Sequence, residues 1–510
     1  MPHFAATTIG CKVNQYETQA VLVLLARAAA DGSAARANVQ IVNTCCVTSA
    51  AAAKSRGAIR QAVRRQPDAD LLILGCAATS SAQALRDAAR RAGCTGRILV
   101  VGHRDDVAER VRRLVAGLDP GDDAASVSLN SERRAEVEVG PGRTPGELAR
   151  GGETPLRQAA SVSGASVQVG IPCNTERSSN HIQPFVDAGV KGNVGTSGLP
   201  AIDHFAGHQR AFVKVQDGCD AACTYCVVSR LRSAVWSRPA DDVAEEVARL
   251  VAAGHREIVL CGISLGAYGQ TTAVRKRWTG PSALPELLAR VAATAGLWRV
   301  RLSSIEPGDV TEALIEICRN LPAIAPHLHI PLQSGSPAVL KRMNRQYAPD
   351  DFLRAVDRLR GAFDRPAITT DILVGFPGET DEDFAATMDL AARSAFSRIH
   401  IFPFSPRRGT PAWSWRGETP PDEVVKDRCH RLAELASRLA DACRRSFLGE
   451  TVEVLTEAPY RRTPRGCSRG LTDRYLDVTF PDANLSPGRI VPVRVEAVTP
   501  DGLRGVRADS

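Results

Sequence analysis

The sequence predicts an α/β protein with three parts: an N-terminal parallel α/β domain, a central partial (β/α)6 barrel and a small C-terminal β-barrel. Three observations support this architecture. Apolar, strand-like runs alternate with helical patterns over residues 1–118, which is typical of a parallel sheet. Six further units of this kind follow over residues 206–445, and residues 446–510 alternate in strand fashion between Gly- and Pro-containing turns. A length of 510 residues also agrees with about three domains.

Composition limits the function classes. The opening residues carry no basic segment followed by a long apolar run, and the longest apolar stretch, residues 20–30, is too short to span a bilayer. We therefore expect a cytoplasmic protein without a membrane partner. Its 14 cysteines then indicate metal-binding or catalytic thiols rather than disulfides. The net charge of +8 favours an acidic partner such as RNA.

The N-terminal region reads as four βα units. The pattern predicts strands over residues 4–9, 39–42, 71–74 and 98–101, and helices over 17–30, 50–65, 81–91 and 105–114. The strands over 71–74 and 98–101 are apolar throughout, as expected of strands covered on both faces. Lys54, Arg56, Arg60 and Arg64 form a basic stripe on the second helix, which is either a phosphate contact or a solvated face.

The positions of three cysteines predict a ligand site at one edge of this sheet. Cys11, Cys45 and Cys76 each follow one of the first three predicted strands. The C-terminal ends of parallel strands lie along one edge of a sheet, where ligands bind. Three cysteines that are distant in sequence are therefore expected to meet in space. Cys46 and Cys94 are expected to be structural.

The central region opens with a second group of cysteines. Cys219, Cys223 and Cys226 have the spacing CxxxCxxC and follow a predicted strand over residues 212–215. Structural zinc takes four protein ligands, and iron–sulfur clusters are usually held by four cysteine thiolates. A cluster held by only three would leave one iron free for an outside ligand. Buried structural cysteines, or a zinc site completed by a distant residue, remain alternatives.

The cysteine spacing, together with Tyr225 just before the third cysteine, resembles the radical S-adenosylmethionine (SAM) signature. In that superfamily the open iron binds the amino and carboxylate groups of SAM, and an electron from the cluster cleaves SAM to a 5′-deoxyadenosyl radical. The resemblance implies that Cys219, Cys223 and Cys226 hold a catalytic [4Fe-4S] cluster. It also implies an electron donor such as flavodoxin or ferredoxin.

The remaining barrel strands are predicted over residues 257–261, 299–303, 327–331, 368–374 and 398–402. Function in such barrels lies at the C-terminal ends of the strands. Glycines there permit close backbone approach to a ligand, and polar side chains there can bond to SAM. The residues expected to bind SAM are Tyr225, Gly262, Ser304, Glu306, Gln333 and Gly375.

Further motifs resemble the methylthiotransferases. GCKVNQYET, VNTC followed by KSR, and a third GC after a strand resemble the N-terminal domain of that family, which carries a second iron–sulfur cluster. GISLGAYG, LSSIEP, LQSGS and GFPGET match the family's barrel motifs. The resemblance implies SAM and two [4Fe-4S] clusters, the second held by Cys11, Cys45 and Cys76. The chain departs from the family pattern after Cys76, at Ala77, and after the central cysteines, at Val227.

The form of the first motif most resembles the branch that acts on N6-threonylcarbamoyladenosine beside the tRNA anticodon. By that resemblance, one SAM supplies the radical that removes hydrogen from position 2 of the adenine. Sulfur is delivered at the N-terminal cluster, a second SAM supplies the methyl group, and the sulfur donor is unknown. The alternatives are a relative acting on isopentenyladenosine in tRNA, a relative modifying a ribosomal-protein aspartate, and a zinc-stabilised RNA-binding protein without catalysis.

Two regions remain. Residues 119–205 are rich in Gly, Ser, Pro, Arg and Ala and are expected to be a low-complexity insertion or linker. Residues 446–510 resemble a TRAM domain, an RNA-binding β-barrel, with strands expected over 452–455, 475–480 and 490–498. The side chains expected to contact RNA there are Tyr460, Arg461, Arg462, Arg465, Arg469, Arg474 and Tyr475.

Overall fold

A computed structural model describes residues 3–30, 38–103, 105–116, 198–459 and 463–508. Most of the expected insertion, residues 119–197, lies outside these ranges, as do Tyr460, Arg461 and Arg462. Residues 198–205, the last part of the expected linker, differ from a linker in that they are packed. Ile202 and Phe205 are fully buried in the core, and the backbone N–H of Ile202 donates to Glu246 Oε1 at 2.8 Å. Residues 198–205 are therefore packed structure, because two large apolar side chains anchor them.

The N-terminal sheet confirms the expected parallel α/β domain. Its strands pair in parallel in the order β1-β2-β3-β4, with bounds β1 His3–Thr8, β2 Asn38–Thr44, β3 Asp70–Gly75 and β4 Ile98–Val101. The helices are α1 Lys12–Ala30, α2 Ser49–Arg65, α3 Cys76–Arg91 and α4 Val107–Val115. Helices α1 and α3 begin five residues earlier than expected. Cys11 thus lies directly before one helix, and Cys76 is the first residue of another.

Apolar side chains of alternate strand residues cover both faces of this sheet. Ile73 and Val100 pack with α2 and α3, whereas Leu72 and Leu99 pack with α1 and α4. Helix α1 serves two domains at once, because Val13 and other residues of its first turns belong to the same apolar cluster as the central barrel. The N-terminal sheet and the barrel are therefore packed together through α1.

Six parallel strands form the central partial barrel, as expected. They lie in two three-stranded sheets, β5-β8-β9 and β10-β11-β12, joined by a parallel bridge between Ser304 and His329. The strands are β5 Arg210–Lys214, β8 Glu257–Cys261, β9 Arg299–Leu302, β10 His327–His329, β11 Ala367–Val374 and β12 Arg398–Pro403, with a short β6 Gln216–Asp217 and β7 Trp236–Ser237 pairing beside them. The helices are α5 Val228–Leu231, α6 Ala240–Ala252, α7 Leu284–Ala292, α8 Glu312–Asn320, α9 Pro337–Arg342, α10 Pro349–Ala362, α11 Asp381–Arg393, α12 Pro411–Ser414 and α13 Asp422–Arg445.

The C-terminal region is a closed five-stranded barrel, as expected of a small β-barrel. Its order is β13-β14-β15-β17-β16, with bounds β13 Thr451–Glu457, β14 Cys467–Leu471, β15 Asp477–Pro481, β16 Ile490–Thr499 and β17 Gly502–Arg507. Sequence reasoning missed β14 and β17. Both contain glycine and arginine, residues with little preference for strands, so only their pairing partners define them.

A turn of this barrel, residues 472–475, docks against the N-terminal ends of the central strands. We call it the Tyr475 turn. The Tyr475 ring lies 3.8 Å from the Arg301 guanidinium carbon and 4.5 Å from the His327 ring. Arg301 is fully buried, bonds to Glu257 Oε1 at 2.7 Å and donates to the Thr472 carbonyl at 2.6 Å.

Contacts within the protein correct three RNA-contact predictions, two of them in the Tyr475 turn and one in β14. Tyr475 is packed against the barrel rather than available to stack on bases. Arg474 donates to the backbone carbonyls of Asp364 and Arg365, and Arg469 pairs with Asp477 at 2.6 Å. These side chains bind to other parts of the same chain, and short-range sequence patterns do not reveal such contacts. Arg465 is exposed, as expected.

No helix among the described ranges is long and apolar enough to cross a bilayer.

Candidate active site

The N-terminal trio, Cys11, Cys45 and Cys76, is gathered at one edge of the sheet, as the sequence predicted. Two glycines show how closely the three segments approach. A side-chain carbon added at Gly10 would lie 3.3 Å from Cys45 Cβ, and one added at Gly75 would lie 2.3 Å from the Thr44 carbonyl oxygen. Both glycines have positive φ, 130° and 93°, a region that residues with a β-carbon rarely adopt.

A buried amide network fixes the position of this trio. Asn14, only 1% exposed, donates from Nδ2 to Asn43 Oδ1 at 3.0 Å and to the Thr44 carbonyl at 3.1 Å. Its Oδ1 accepts from Cys11 Sγ at 3.4 Å. Ser55 closes the second loop, because its Oγ both accepts from Cys45 N and donates to Cys45 O at 2.9 Å. Asn14 lies within the motif GCKVNQYET, but the sequence alone assigned no role to this residue.

The central trio, Cys219, Cys223 and Cys226, occupies the loop between β6 and α5. Neighbouring segments hold this loop through its backbone and small side chains. Thr224 N donates to the Met343 carbonyl at 3.0 Å, and Asn344 Nδ2 donates to the Ala222 carbonyl at 2.9 Å. The loop following α9 therefore positions the cysteines.

Arg345 is a site residue that sequence reasoning missed. Its guanidinium lies 3.4 Å from Cys223 Sγ, forms an ion pair with Glu306 and lies over the Tyr347 ring at 4.9 Å. The Arg345 side chain is only 8% exposed. Arg345 thus places a buried positive charge beside Cys223. No sequence signal links Arg345 to Glu306, because 39 positions separate them.

Burial acts against ionisation of these thiols. It is the main cause that raises the pKa of Cys219 to about 12 and that of Cys226 to about 11, and the neighbouring Cys223 contributes to both values. Burial also raises the pKa of Cys76, with Cys45 and Cys11 adding to the effect. These thiols would therefore keep their protons at neutral pH unless a cationic centre took up their charge, as metal coordination does.

The spacing of the thiols distinguishes a cluster from a single ion. Tetrahedral zinc, with bonds of about 2.3 Å to sulfur, brings its sulfurs to about 3.8 Å from each other. Among the described histidine, cysteine and acidic side chains, only His329, Asp371 and His400 bring three ligand atoms within 4.8 Å of one another. Both trios are thus more widely spaced than a single ion requires. The all-thiol donor set and this spacing fit an iron–sulfur cluster.

The residues expected to bind SAM fall into two groups. Ser304, Glu306 and Gln333 lie at the C-terminal ends of the strands with their side chains at least partly exposed. Gln333 has a φ of 62°, unusual for a residue with a side chain, and two backbone hydrogen bonds to β11 hold it there: to the Asp371 carbonyl at 2.8 Å and from Leu373 N at 2.9 Å. Their role in binding SAM remains a prediction.

The second group of residues expected to bind SAM, Gly262, Gly375 and Tyr225, packs against other parts of the protein. A side-chain carbon at Gly262 would lie 2.8 Å from Gln216 Oε1, and one at Gly375 would lie 2.6 Å from Val425 Cγ2. Tyr225 packs with its ring centroid 6.5 Å from that of Phe376. The need for glycine at positions 262 and 375 therefore follows from protein packing in this structure. Whether these three residues also contact SAM stays a prediction.

Polar side chains of the neighbouring strands β10, β11 and β12 lie close together. His329 Nε2 lies 3.3 Å from Asp371 Oδ2, and the rings of His329 and His400 have centroids 5.7 Å apart. Burial lowers the pKa of His400 to about 4. For Asp371, burial would raise the pKa, but His329, His400 and Lys12 hold it below its usual value. We call His329, Asp371, His400 and Lys12 the lumen group.

Lys12 enters this group from the N-terminal domain, since it is the first residue of α1. Its positive charge acts on both Asp371 and His400, yet it forms no salt bridge with any residue in the described ranges. A cation already present beside two histidines and one carboxylate opposes binding of a metal ion there. The lumen group is better suited to a polar organic ligand.

Four buried charges join the N-terminal domain to the barrel. Lys214 Nζ lies 2.9 Å from Glu17 Oε1 and 2.6 Å from Asp217 Oδ2, and Arg232 Nη1 lies 2.9 Å and 2.7 Å from the same two oxygens. We call these residues the charge tetrad. Its Arg232 carbonyl also accepts from Cys219 N at 2.8 Å. The tetrad therefore ties α1, just past Cys11, to the loop that carries the central trio.

A bridging segment, residues 403–416, also contacts the loops of both trios. Ala412 N donates to the Thr224 carbonyl at 2.9 Å, inside the central cysteine loop. Ser405 Oγ accepts from Ser49 N at 3.1 Å, and Arg407 Nε donates to the Val47 carbonyl at 3.1 Å, just beyond Cys45. The two cysteine sites are thus held in fixed relation from two sides.

Comparisons with known proteins agree with this arrangement. Residues 213–391 match the radical SAM superfamily, and residues 3–95 match uncharacterized protein family UPF0004. The chain is 32% identical over 502 residues to the threonylcarbamoyladenosine tRNA methylthiotransferase MtaB of Bacillus subtilis (strain 168), covering 97% of this chain and 94% of that one. The chain belongs to the radical SAM methylthiotransferases. The cofactors of this methylthiotransferase are accordingly SAM and [4Fe-4S] clusters, two of them, as the sequence predicted.

Two further comparisons cover less of the chain or show lower sequence identity. The tRNA-2-methylthio-N(6)-dimethylallyladenosine synthase of Anaeromyxobacter dehalogenans (strain 2CP-C) is 39% identical over 307 residues, 59% of this methylthiotransferase and 64% of the relative. Among solved structures, the radical SAM methyltransferase TsrM from Kitasatospora setae is 15% identical, with a TM-score of 0.48 over 81% of this chain and 74% of that one.

Proposed function

We propose that this methylthiotransferase adds a methylthio group to position 2 of N6-threonylcarbamoyladenosine next to the anticodon of tRNA. The full-length similarity to a relative named for that nucleoside supports this substrate. The higher identity to a dimethylallyladenosine synthase, over 59% of the chain, favours a second candidate substrate. The charges of the lumen group favour one of these two substrates over the other.

The two nucleosides differ in what their N6 substituents need. A dimethylallyl group is apolar, and burying it against charged side chains would cost free energy. A threonylcarbamoyl group carries a carboxylate and a hydroxyl. The ammonium of Lys12, which has no salt-bridge partner among the described residues, acts on the polar side chains of Asp371 and His400. This charge distribution supports the carboxylate-bearing nucleoside, with Lys12 as the residue that binds its carboxylate.

The two trios take separate roles in this proposal. Cys219, Cys223 and Cys226 hold the cluster that cleaves SAM, and Cys11, Cys45 and Cys76 hold the auxiliary cluster. When bound, these clusters and SAM supply the radical and the sulfur chemistry. The chain itself holds Cys223 beside Arg345 and orients Cys11 through Asn14. It also holds the two sites together through the charge tetrad and the bridging segment.

Lys12→Gln should remove the preference for the carboxylate-bearing nucleoside. A charge-assisted hydrogen bond contributes about 1.5–3 kcal/mol, so affinity for an anticodon stem-loop with threonylcarbamoyladenosine should fall about 10- to 150-fold. Affinity for the same stem-loop with unmodified adenosine should change little. Fluorescence anisotropy with both RNAs measures this difference. Because Lys12 is next to Cys11, iron analysis verifies that the variant keeps both clusters.

Lys426→Gln is the matched control, because Lys426 is an exposed lysine on α13 whose side chain is 70% accessible. Equal loss of affinity for both RNAs in Lys12→Gln would contradict a carboxylate contact.

Nucleoside analysis of tRNA from a deletion strain tests the substrate itself. Unchanged methylthiolation of threonylcarbamoyladenosine in that strain would rule the substrate out.

The proposal also includes a cytoplasmic location, where tRNA is modified, and a small electron donor such as flavodoxin or ferredoxin.

A further inference from the structure

The bridging segment carries an exposed aromatic group flanked by cations. The Trp413 ring centroid lies 4.7 Å from the Arg416 guanidinium carbon and 5.5 Å from that of Arg408. Trp413 is half-buried, whereas both arginines are exposed. Neither arginine has an ion-pair partner within the part of the chain that the structure describes. Two positive charges are therefore unneutralised beside one accessible indole.

The neighbouring tryptophan shows what a purely structural pair looks like in the same segment. Trp415 packs with its ring centroid 6.4 Å from that of Phe376, inside an apolar cluster that also contains Ala412. The cation over it, Arg342, is already paired with Glu418 at 2.5 Å. Packing explains Trp415 and an ion pair explains Arg342. Neither explanation covers Arg408, Trp413 and Arg416.

The position of this group relates it to both cysteine sites. Trp413 directly follows Ala412, which bonds to the central cysteine loop, and Arg408 directly follows Arg407, which bonds to the loop beyond Cys45. A ligand on this surface would therefore lie on a segment that contacts the loops of both cysteine sites.

We propose that Arg408, Trp413 and Arg416 form the surface that binds the single-stranded nucleotides flanking the target adenosine in the anticodon loop. The proposal rests on tRNA being the substrate. Single-stranded RNA is held by stacking of its bases on aromatic rings and on arginine planes, with cations along its phosphates. The three side chains supply both elements next to the site where the target base must enter. Their fixed backbone means that the surface is already formed before RNA arrives.

Trp413→Ala should raise the Kd for the threonylcarbamoyladenosine stem-loop about 5- to 100-fold, the range expected for loss of one base–aromatic stack. Trp413→Phe should recover part of that loss. Because a tryptophan variant can disturb packing, the second test is Arg408→Gln combined with Arg416→Gln, which alters only exposed side chains. That double variant should lower the slope of log Kd against log salt by about 1.4, since each phosphate contact on a single strand contributes about 0.7.

Trp298→Ala is the matched control. Trp298 is also half-buried and has the Arg299 guanidinium carbon 3.6 Å from its ring, but it lies at the N-terminal end of β9, away from the cysteines. It should bind the stem-loop as the wild type does. If wild-type protein binds the stem-loop and the Trp413 and double-arginine variants bind equally well, with the same salt slope, the surface is wrong. If wild-type protein does not bind the stem-loop at all, the proposed substrate fails instead.

Discussion

Cys219→Ser should abolish SAM cleavage, whereas Cys76→Ser should still cleave SAM and form no methylthio product. The two substitutions fall in different trios, and each should remove one of two clusters. Iron and sulfide content should therefore drop by about half in either variant, because each cluster holds four irons. The measurements are iron and sulfide per chain after anaerobic reconstitution, release of 5′-deoxyadenosine under reductant, and nucleoside analysis of the product.

Cys467→Ser is the control for this pair. Cys467 lies in β14 of the C-terminal barrel, outside both trios, so both clusters and both reactions should survive. Wild-type protein that accepts only one cluster with all six thiols intact would contradict the assignment of the trios. A colourless protein that retains zinc would support the zinc-stabilised alternative instead.

Arg232→Met should destabilise the contact between the N-terminal domain and the barrel by about 3–5 kcal/mol, the usual cost of leaving buried charges without a partner. The Arg232 side chain is 2% exposed, and its loss leaves Glu17 and Asp217 sharing Lys214 alone. Denaturation of anaerobic, cluster-loaded protein, followed by circular dichroism and by the visible absorbance of the clusters, measures the effect.

Arg354→Met provides the comparison for the charge tetrad. Arg354 pairs with Asp351 on the surface, with side chains 61% and 45% exposed, so this substitution should cost about 1 kcal/mol or less. Similar losses in the two variants would show that the tetrad adds no more than a surface pair.

The tetrad also predicts a pH dependence. Burial alone would raise the pKa of Glu17, but Arg232 and Lys214 overcome that effect and hold it well below its usual value. A carboxyl group whose pKa is lower in the folded protein stabilises the fold above the pKa of the unfolded chain, about 4.3. That stability is lost as the pH falls below this value toward the folded pKa. Glu17→Gln should therefore flatten the stability profile below about pH 4.

Most of the fold and both cysteine groups could be predicted from sequence because their signals are local. A cysteine after each of three apolar strands fixes a topological position, and the spacing of Cys219, Cys223 and Cys226 fixes a loop. The glycines before Cys11 and Cys76 are visible in the same motifs. Their structural reason, close approach of neighbouring segments, appears only in three dimensions.

The parts that could not be predicted depend on pairings between distant segments. Arg345 meets Glu306 across 39 positions, and Arg232 meets Glu17 across 215. Tyr475 looked like an RNA-stacking residue because its neighbours are basic, but its ring packs on Arg301. A single sequence contains the charges and rings but not the identity of their partners.

The Tyr475 turn has a consequence for turnover. It fills the end of the barrel opposite the cysteines with Arg301, Glu257 and a tyrosine ring. Ligands of the two cysteine sites are therefore expected to enter and leave at the opposite end of the barrel, where the C-terminal ends of the strands lie.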